Sequence, residues 1–234
     1  MGFYYPYYFD PTYILVIIGM AITLLASARV RTTFSKYSQV RSMSGLTGAQ
    51  VAKKILYYSG ITDVEVERAS GQLTDHYDPR KKVVRLSDSV YGESSIAAIG
   101  VAAHECGHAI QHNEGYAPLK LRSALVPLTN FGSTLAWPLI IIGLLMGGSQ
   151  QLIYAGIILF STAVLFQLIT LPVEFNASRR AILKLGDMGI LSESELPHSK
   201  KVLSAAALTY VAAAAATILQ LLRLIILFGG RRRD

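Results

Sequence analysis

The sequence predicts a mainly α-helical integral membrane protein with about four transmembrane helices, joined to a metal-site domain that carries a small β-hairpin or sheet. Three observations support this. Hydrophobic residues make up 52% of the 234 positions and charged residues only 16%, with a mean hydropathy of +0.40, beyond ordinary globular usage. Four apolar stretches reach or approach the ~17–25 residues that a ~30 Å hydrocarbon core requires. One Ala-rich stretch ends in His104-Glu105-Cys106-Gly107-His108, a spacing suited to a metal ion.

Residues 1–28 read as an N-terminal transmembrane anchor. Phe3-Tyr4-Tyr5-Pro6-Tyr7-Tyr8-Phe9 forms an aromatic interfacial belt ahead of the apolar run 13–28. Ala26-Ser27-Ala28 resembles a signal cleavage site, but its flanks have the wrong charge order. Residues 1–12 contain Asp10 and no Lys or Arg, whereas Arg29, Arg31, Lys36 and Arg41 follow the run.

Residues 29–123 read as a cytoplasmic half-domain. Thr47-Gly48-Ala49-Gln50 matches a capping box, and Val51, Ala52, Ile55 and Leu56 continue at helical spacing until Gly60. Val64-Glu65-Val66-Glu67-Arg68 alternates as a strand, and Lys82-Val83-Val84-Arg85-Leu86 reads as a second. The polar stretch Asp75-His76-Tyr77-Asp78-Pro79 between them reads as a turn region. An exposed edge of such a sheet can bind an extended peptide through main-chain hydrogen bonds; the plainer reading is a structural hairpin.

Residues 124–173 form a transmembrane hairpin, with apolar runs at 135–148, led in by 124–134, and at 151–173. The uncharged turn 147–151 suits an outer surface. Residues 174–204 then return to the side of the histidine motif as a cytoplasmic segment, with Pro172 placed to open a new helix. Residues 205–234 close the chain with a hydrophobic helix and a basic tail. That helix is long enough to span, although Arg223 and a run of five alanines also suit a buried position.

Charge sets the orientation. The loop 29–122 holds 13 of the 22 Lys and Arg, so the positive-inside rule places it, and the histidine motif, in the cytoplasm of a multi-pass cell-membrane protein. Arg231-Arg232-Arg233 would then lie outside, against the rule, if the last helix crosses. A net charge of +7 does not indicate nucleic acid, because the basic residues crowd the ends of apolar segments and no basic stripe interleaves with aromatics. The bilayer is the implied partner. The single cysteine excludes an intrachain disulfide and suits a reducing compartment. Cys106 points about 200° away from His104 on a helix, so it reads as a packing residue.

His104 and His108 differ by about 40° around a helix axis, so both imidazoles can reach one Zn²⁺. Glu105 lies about 100° round, where its carboxylate can act as a general base. A hydrolytic zinc site needs a third protein ligand and an open position for water. Glu174, returned by the hairpin, is the favoured candidate; Glu114, ten residues after His104, competes, although Gln111 stands where the corresponding sharp turn usually has Gly.

The strings D-H-Y-D-P-R, A-A-H-E-C-G-H-A-I-Q, L-P-V-E-F-N-A-S-R-R-A and A-A-A-L-T-Y-V-A-A-A together resemble the YugP-type neutral zinc metallopeptidases of bacterial membranes. The resemblance spans nearly the whole chain. It implies a zincin-like catalytic domain in a gluzincin arrangement, distantly like the HtpX and CAAX-prenyl membrane proteases, with His104, His108 and Glu174 on zinc and Glu105 as base. One departure concerns the second shell: those relatives often carry Glu-x-x-Ala-Asp, where this chain has Glu174 to Ser178. Ser178 offers no carboxylate, so the histidine-orienting partner is expected to be another acid, such as Asp187 or Glu114, or a neutral group.

Stabilising the oxyanion needs a further donor. Tyr210, in L-T-Y-V-A-A, is the first candidate and an ordinary polar handle its plain alternative; His198 is the second, although Pro197-His198-Ser199 reads more simply as a loop. His112 reads as solvated near the helix end, and His76 as a turn residue beside Asp75 and Asp78. The chemistry so assembled is peptide-bond hydrolysis at the cytoplasmic membrane surface, on a membrane-associated peptide or protein. Two alternatives remain at this stage. A site-2-type intramembrane protease would carry an Asn-Pro-Asp-Gly motif, which the sequence lacks. A non-catalytic scaffold with a vestigial site would be expected to lose Glu105 or a ligand.

Overall fold

The structure, a computed structural model, describes residues 10–229. The aromatic stretch 3–9 and the basic cluster 231–233 lie outside the described residues.

Four helices are long and apolar enough to cross a membrane: α1 (Tyr13–Ser38), α5 (Ala117–Leu145), α6 (Gln150–Asp187) and α7 (Leu196–Phe228). Their outward faces carry large apolar side chains, with Leu25 71% and Ile158 67% exposed. Such continuous apolar surface suits lipid rather than water. The chain is a membrane protein whose last hydrophobic segment has the length to span.

Small residues set the packing inside this bundle. α5 and α6 form the out-and-back hairpin, closing so tightly that a Cβ on Gly156 would stand 2.7 Å from the Ala136 carbonyl oxygen. In lipid no hydrophobic drive separates helix from solvent, so close van der Waals approach at small residues takes its place. α7 packs along α1 on one side and α6 on the other. At their far ends Arg223 meets Asp10 at 3.3 Å and lies over the Tyr13 ring.

All four of these helices are longer than the apolar runs that predict them. The apolar part ends with the hydrocarbon, but the backbone hydrogen-bond ladder continues into the folded domain. α6 in particular passes straight through Pro172, where a new helix was expected to open. Pro172 removes one backbone donor, and membrane helices tolerate this where nearby hydroxyls and neighbours compensate. Two residues earlier the Thr170 hydroxyl donates to the Phe166 carbonyl at 2.8 Å, so this stretch of α6 carries a side-chain bond of the kind such helices use, although the carbonyl that loses its donor is that of Leu168. α7 likewise starts at Leu196 with Pro197 in its first turn, so Pro197-His198-Ser199 is helix, not loop. Proline is well suited there because a first-turn N–H has no intrahelical partner.

The remaining elements form a small α/β unit at one end of the bundle. α2 (Gly48–Tyr58) starts at the expected capping box, with Thr47 Oγ1 accepting from Gln50 N–H and the Gln50 side chain accepting from Thr47 N–H. It buries Val51, Ala52, Ile55 and Leu56. Three strands follow, β1 (Glu65–Ala69), β2 (His76–Asp78) and β3 (Val83–Ser87), in the order β1-β3-β2.

The expected small sheet is present, but the two predicted strands do not form a hairpin with each other. β1 pairs with β3 in parallel, Val66 opposite Val84, and the polar stretch expected to be only a turn supplies β2, antiparallel to β3 with Tyr77 opposite Val84. The alternation that reveals a strand carries no information about its partner's direction. Asp75 caps the connection by accepting from Ser87 N–H at 2.7 Å and Ser87 Oγ at 2.9 Å. Its carboxylate serves the turn. After α3 (Asp88–Tyr91) comes α4 (Ile96–Asn113), the buried spine of the unit, packed against α2, α6 and α7. Its core includes Ile99, Ala102, Ala103 and Cys106, with Leu185 from α6.

Candidate metal centre

α4 is capped at Ser95, whose hydroxyl accepts from Ala98 N–H at 3.1 Å, and ends at Asn113, shortly before Gly115 takes φ 66°. The helix therefore holds His104 and His108 on one face, one turn apart. Their rings lie 4.8 Å apart at 85° to each other. α6 crosses this face at Gly107, where a Cβ would stand 2.6 Å from the Ala177 carbonyl oxygen. That glycine lets Glu174 and Ser178, on either side of Ala177, reach the two histidines.

Glu174 Oε2 lies 3.3 Å from His104 Nε2 and 3.5 Å from His108 Nε2. The three residues offer ligand atoms all within 4.8 Å of one another. Glu174 is 3% exposed, and its Oε2 is buried without a formed hydrogen bond. Three lone-pair donors thus converge on a space where none satisfies another, which is the condition a cation relieves. Two imidazoles and one carboxylate are the donor set of a catalytic zinc site.

The opposite ring nitrogens are held by neutral groups. Ser178 Oγ meets His104 Nδ1 at 3.1 Å, and Gln111 Oε1 meets His108 Nδ1 at 3.0 Å. Gln111 is fully buried, and its Nε2 donates to the Val173 carbonyl at 2.8 Å and to Asn176 Oδ1 at 2.9 Å. With both amide hydrogens committed, its oxygen must face His108, which places that ring's proton on Nδ1 and frees Nε2 for a metal. Of the partners expected, the neutral kind is present: Glu114 instead pairs with Arg180 at 2.7 Å. Arg122, in the first turns of α5, donates to Glu174 Oε1 at 3.0 Å, leaving Oε2 turned to the histidines.

Burial alone disfavours the His108 imidazolium, but the Glu174 hydrogen bond and the Glu105 and Glu174 charges outweigh it and raise its pKa. A bound cation would take the place of that proton. Burial pushes the Cys106 thiol up, and its Sγ contacts only the Ala52 carbonyl among hydrogen-bonding groups, at 3.6 Å. It is a packing residue.

A cleft of about 900 Å³ opens over this group, and Glu105, Tyr210 and Arg122 line it together with Glu174 and His108. β2 forms one wall through His76 and Tyr77. The Tyr77 hydroxyl and His112 Nδ1 lie 2.8 Å apart, so His112, expected to be merely solvated, ties the exposed end of α4 to the sheet. Burial first, then the charges of Asp63 and Asp78, push the Tyr77 hydroxyl up to about 12, keeping it protonated. His76 Nδ1 lies 2.8 Å from the Thr74 carbonyl in its turn. His198 stacks on Tyr37 with ring centroids 5.2 Å apart and does not line the cleft.

Sequence reasoning missed Gln111, Arg122, Asn176 and Gly107. Gln111 carried a signal, since three residues after His108 is the same helix face. Arg122 carried one too, as one of two cations, with Lys120, at the start of a helix that is apolar beyond them. Changing Ser178 to Ala is expected to weaken zinc binding by about 10–100-fold, read by competition with a chromophoric chelator. An unchanged affinity would remove Ser178 from the support of His104.

A four-helix membrane bundle whose hairpin brings a glutamate onto an H-E-x-x-H helix defines a membrane protein of the zinc-peptidase class. The chain belongs to the family described as "Putative neutral zinc metallopeptidase", whose profile matches residues 12–229. It is similar to the "Putative membrane protease YugP" of Bacillus subtilis (strain 168), 51% identical over 214 residues, covering 92% of this chain and 95% of that relative. No solved structure matches the chain.

Proposed function

We propose that this protein is a zinc-dependent endopeptidase that hydrolyses peptide bonds at the cytoplasmic membrane surface. The observation that carries the reading is the meeting of Glu174 with His104 and His108 under a cleft that also holds Glu105. Family membership supports it.

His104, His108 and Glu174 are the residues that would hold the metal. Zinc supplies a polarising positive charge and brings the pKa of a bound water towards ~7. Glu105, 7% exposed in the cleft, takes the proton from the attacking water and returns it to the leaving amine nitrogen. Tyr210 donates its hydroxyl to the carbonyl oxygen as negative charge develops there. Arg122 holds Glu174 by the oxygen that faces away from the histidines. β2 pairs only with β3 among the described strands, so its other edge can align an extended peptide along the cleft.

The depth of the site supports action at the surface. Glu174 lies 24 residues into α6, about 36 Å along the axis from its far end, just beyond a ~30 Å hydrocarbon core. The Lys and Arg of residues 29–122 lie on that side, which by the positive-inside rule is the cytoplasm. The substrate class is therefore a membrane-associated peptide or protein, not nucleic acid. Purified protein in detergent is expected to cleave unstructured peptides, lose that activity to a chelator and regain it with zinc. Chelator-resistant cleavage, or none in the zinc-loaded protein, overturns the proposal.

A further inference from the structure

Two grooves flank α7 at the end of the bundle that bears the metal centre. One, of about 460 Å³, lies between α6 and α7, floored by Phe175, Ile182, Leu203 and Leu208, with Arg179 and Lys200 among its lining. The other, of about 530 Å³, lies between α1 and α7 and is lined by Arg29, Lys36, Lys200 and Lys201, with the hydroxyl residues Thr32 and Thr33. Lys200, Ser204 and Leu208 belong to both. No Asp or Glu lines either groove.

Six cations elsewhere in the fold are ion-paired and, among the described residues, those lining these grooves are not. Arg68, Lys82, Arg85, Arg122, Arg180 and Arg223 each face a carboxylate. Among the described residues none of Arg29, Lys36, Arg179, Lys200 and Lys201 has an ion-pair partner; Lys36 rests over the Tyr37 ring at 5.6 Å. Five positive groups therefore surround apolar grooves with no internal countercharge. Depth adds a second constraint. Leu208 stands about 30 Å, and Lys200 about 42 Å, along α7 from Phe228, so the groove meets the edge of a ~30 Å hydrocarbon core at Leu208, while Leu203, Ile182 and the cations lie at headgroup depth or beyond. Lysine stems can reach back to that layer.

We propose that this face binds an anionic glycerophospholipid from the adjoining leaflet, its phosphate held by Lys200 with Arg179 and its acyl chain laid in the α6–α7 groove. A free phosphate would leave the apolar floor uncovered. A zwitterionic lipid would turn its own cation towards the cluster. Cationic pockets between membrane helices recognise anionic headgroups on these grounds. Ser178, which supports His104, also lines the α6–α7 groove, so the bound chain lies against the metal centre's scaffold; binding itself does not require the peptidase reading.

The test uses the full chain reconstituted in phosphatidylcholine bilayers with trace spin-labelled phosphatidylglycerol or spin-labelled phosphatidylcholine, reading the motionally restricted fraction. The expected result is a phosphatidylglycerol preference of about 5-fold or more, since one Lys or Arg beside an anionic headgroup contributes roughly that factor. Arg179→Gln with Lys200→Gln should remove most of it, while Lys53→Gln with Lys54→Gln, on the exposed face of α2, should leave it intact. Ser204→Phe, which fills the groove and keeps every cation, should lower restriction of both lipids. Equal restriction of the two lipids by the unaltered protein overturns the proposal, as does an unchanged preference in the Arg179/Lys200 variant.

Discussion

Changing Glu105 to Gln is expected to lower peptide cleavage by about 10²–10⁴-fold while zinc content stays at the unaltered level. Glutamine keeps the size of glutamate and its hydrogen-bonding oxygen, but it cannot accept a proton at neutral pH. The residues that could hold the metal are His104, His108 and Glu174, none of which the change touches. Loss of cleavage with retained metal therefore separates proton transfer from metal binding. Peptide turnover and metal content measured on the same preparation read both. Undiminished cleavage by that variant would sink the general-base role; parallel loss of zinc would make Glu105 a structural member of the site.

Glu174→Ala is expected to have the larger effect on the metal itself. Removing a group that only orients a ligand costs up to about 100-fold in affinity, so removing the ligand should cost more. The variant also leaves Arg122 without its carboxylate partner, at a position 28% exposed on its side chain, where water can replace the lost contact. The fold is expected to survive because Val173, Ala177, Ala181 and Leu185 keep the buried face of α6. Metal titration paired with a thermal melt distinguishes the outcomes. Full zinc retention would return the third-ligand role to Glu114, despite its distance from the histidines and its pairing with Arg180.

Much of this architecture was legible residue by residue. Four apolar runs predict four spanning helices because a bilayer leaves backbone groups no partner except their own helix. Thr47 and Gln50 predict the start of α2 because the capping box is completed within four residues. His104 and His108 predict a shared metal because helical spacing alone brings them to one face. Each of these rests on contacts a few residues apart.

Other features were not legible, for the converse reason. The segments at 65–69 and 83–87 read as strands whether parallel or antiparallel, and their relative direction is set by the connection through β2, which pairs on the far side of β3. Pro172 looks like a helix start when read locally, yet α6 continues through it, packed against α5 and α7. Ser178 looks too weak to replace a carboxylate, and within the sequence it is. Its position 3.1 Å from His104 Nδ1 depends on Gly107 admitting α6 to van der Waals contact with α4.

The sequence by itself determined a membrane protein with an H-E-x-x-H helix, because hydropathy and the 3.6-residue repeat act through neighbours along the chain. Only the tertiary structure decided which glutamate meets the histidines, which neutral groups orient them, and where the cleft opens. Glu174 and Ser178 lie about 70 residues beyond the histidines, and Gln111 holds His108 through bonds to that same distant helix. Such convergence is set by how closely α4 and α6 can approach, and that distance is a property of two packed surfaces rather than of either segment.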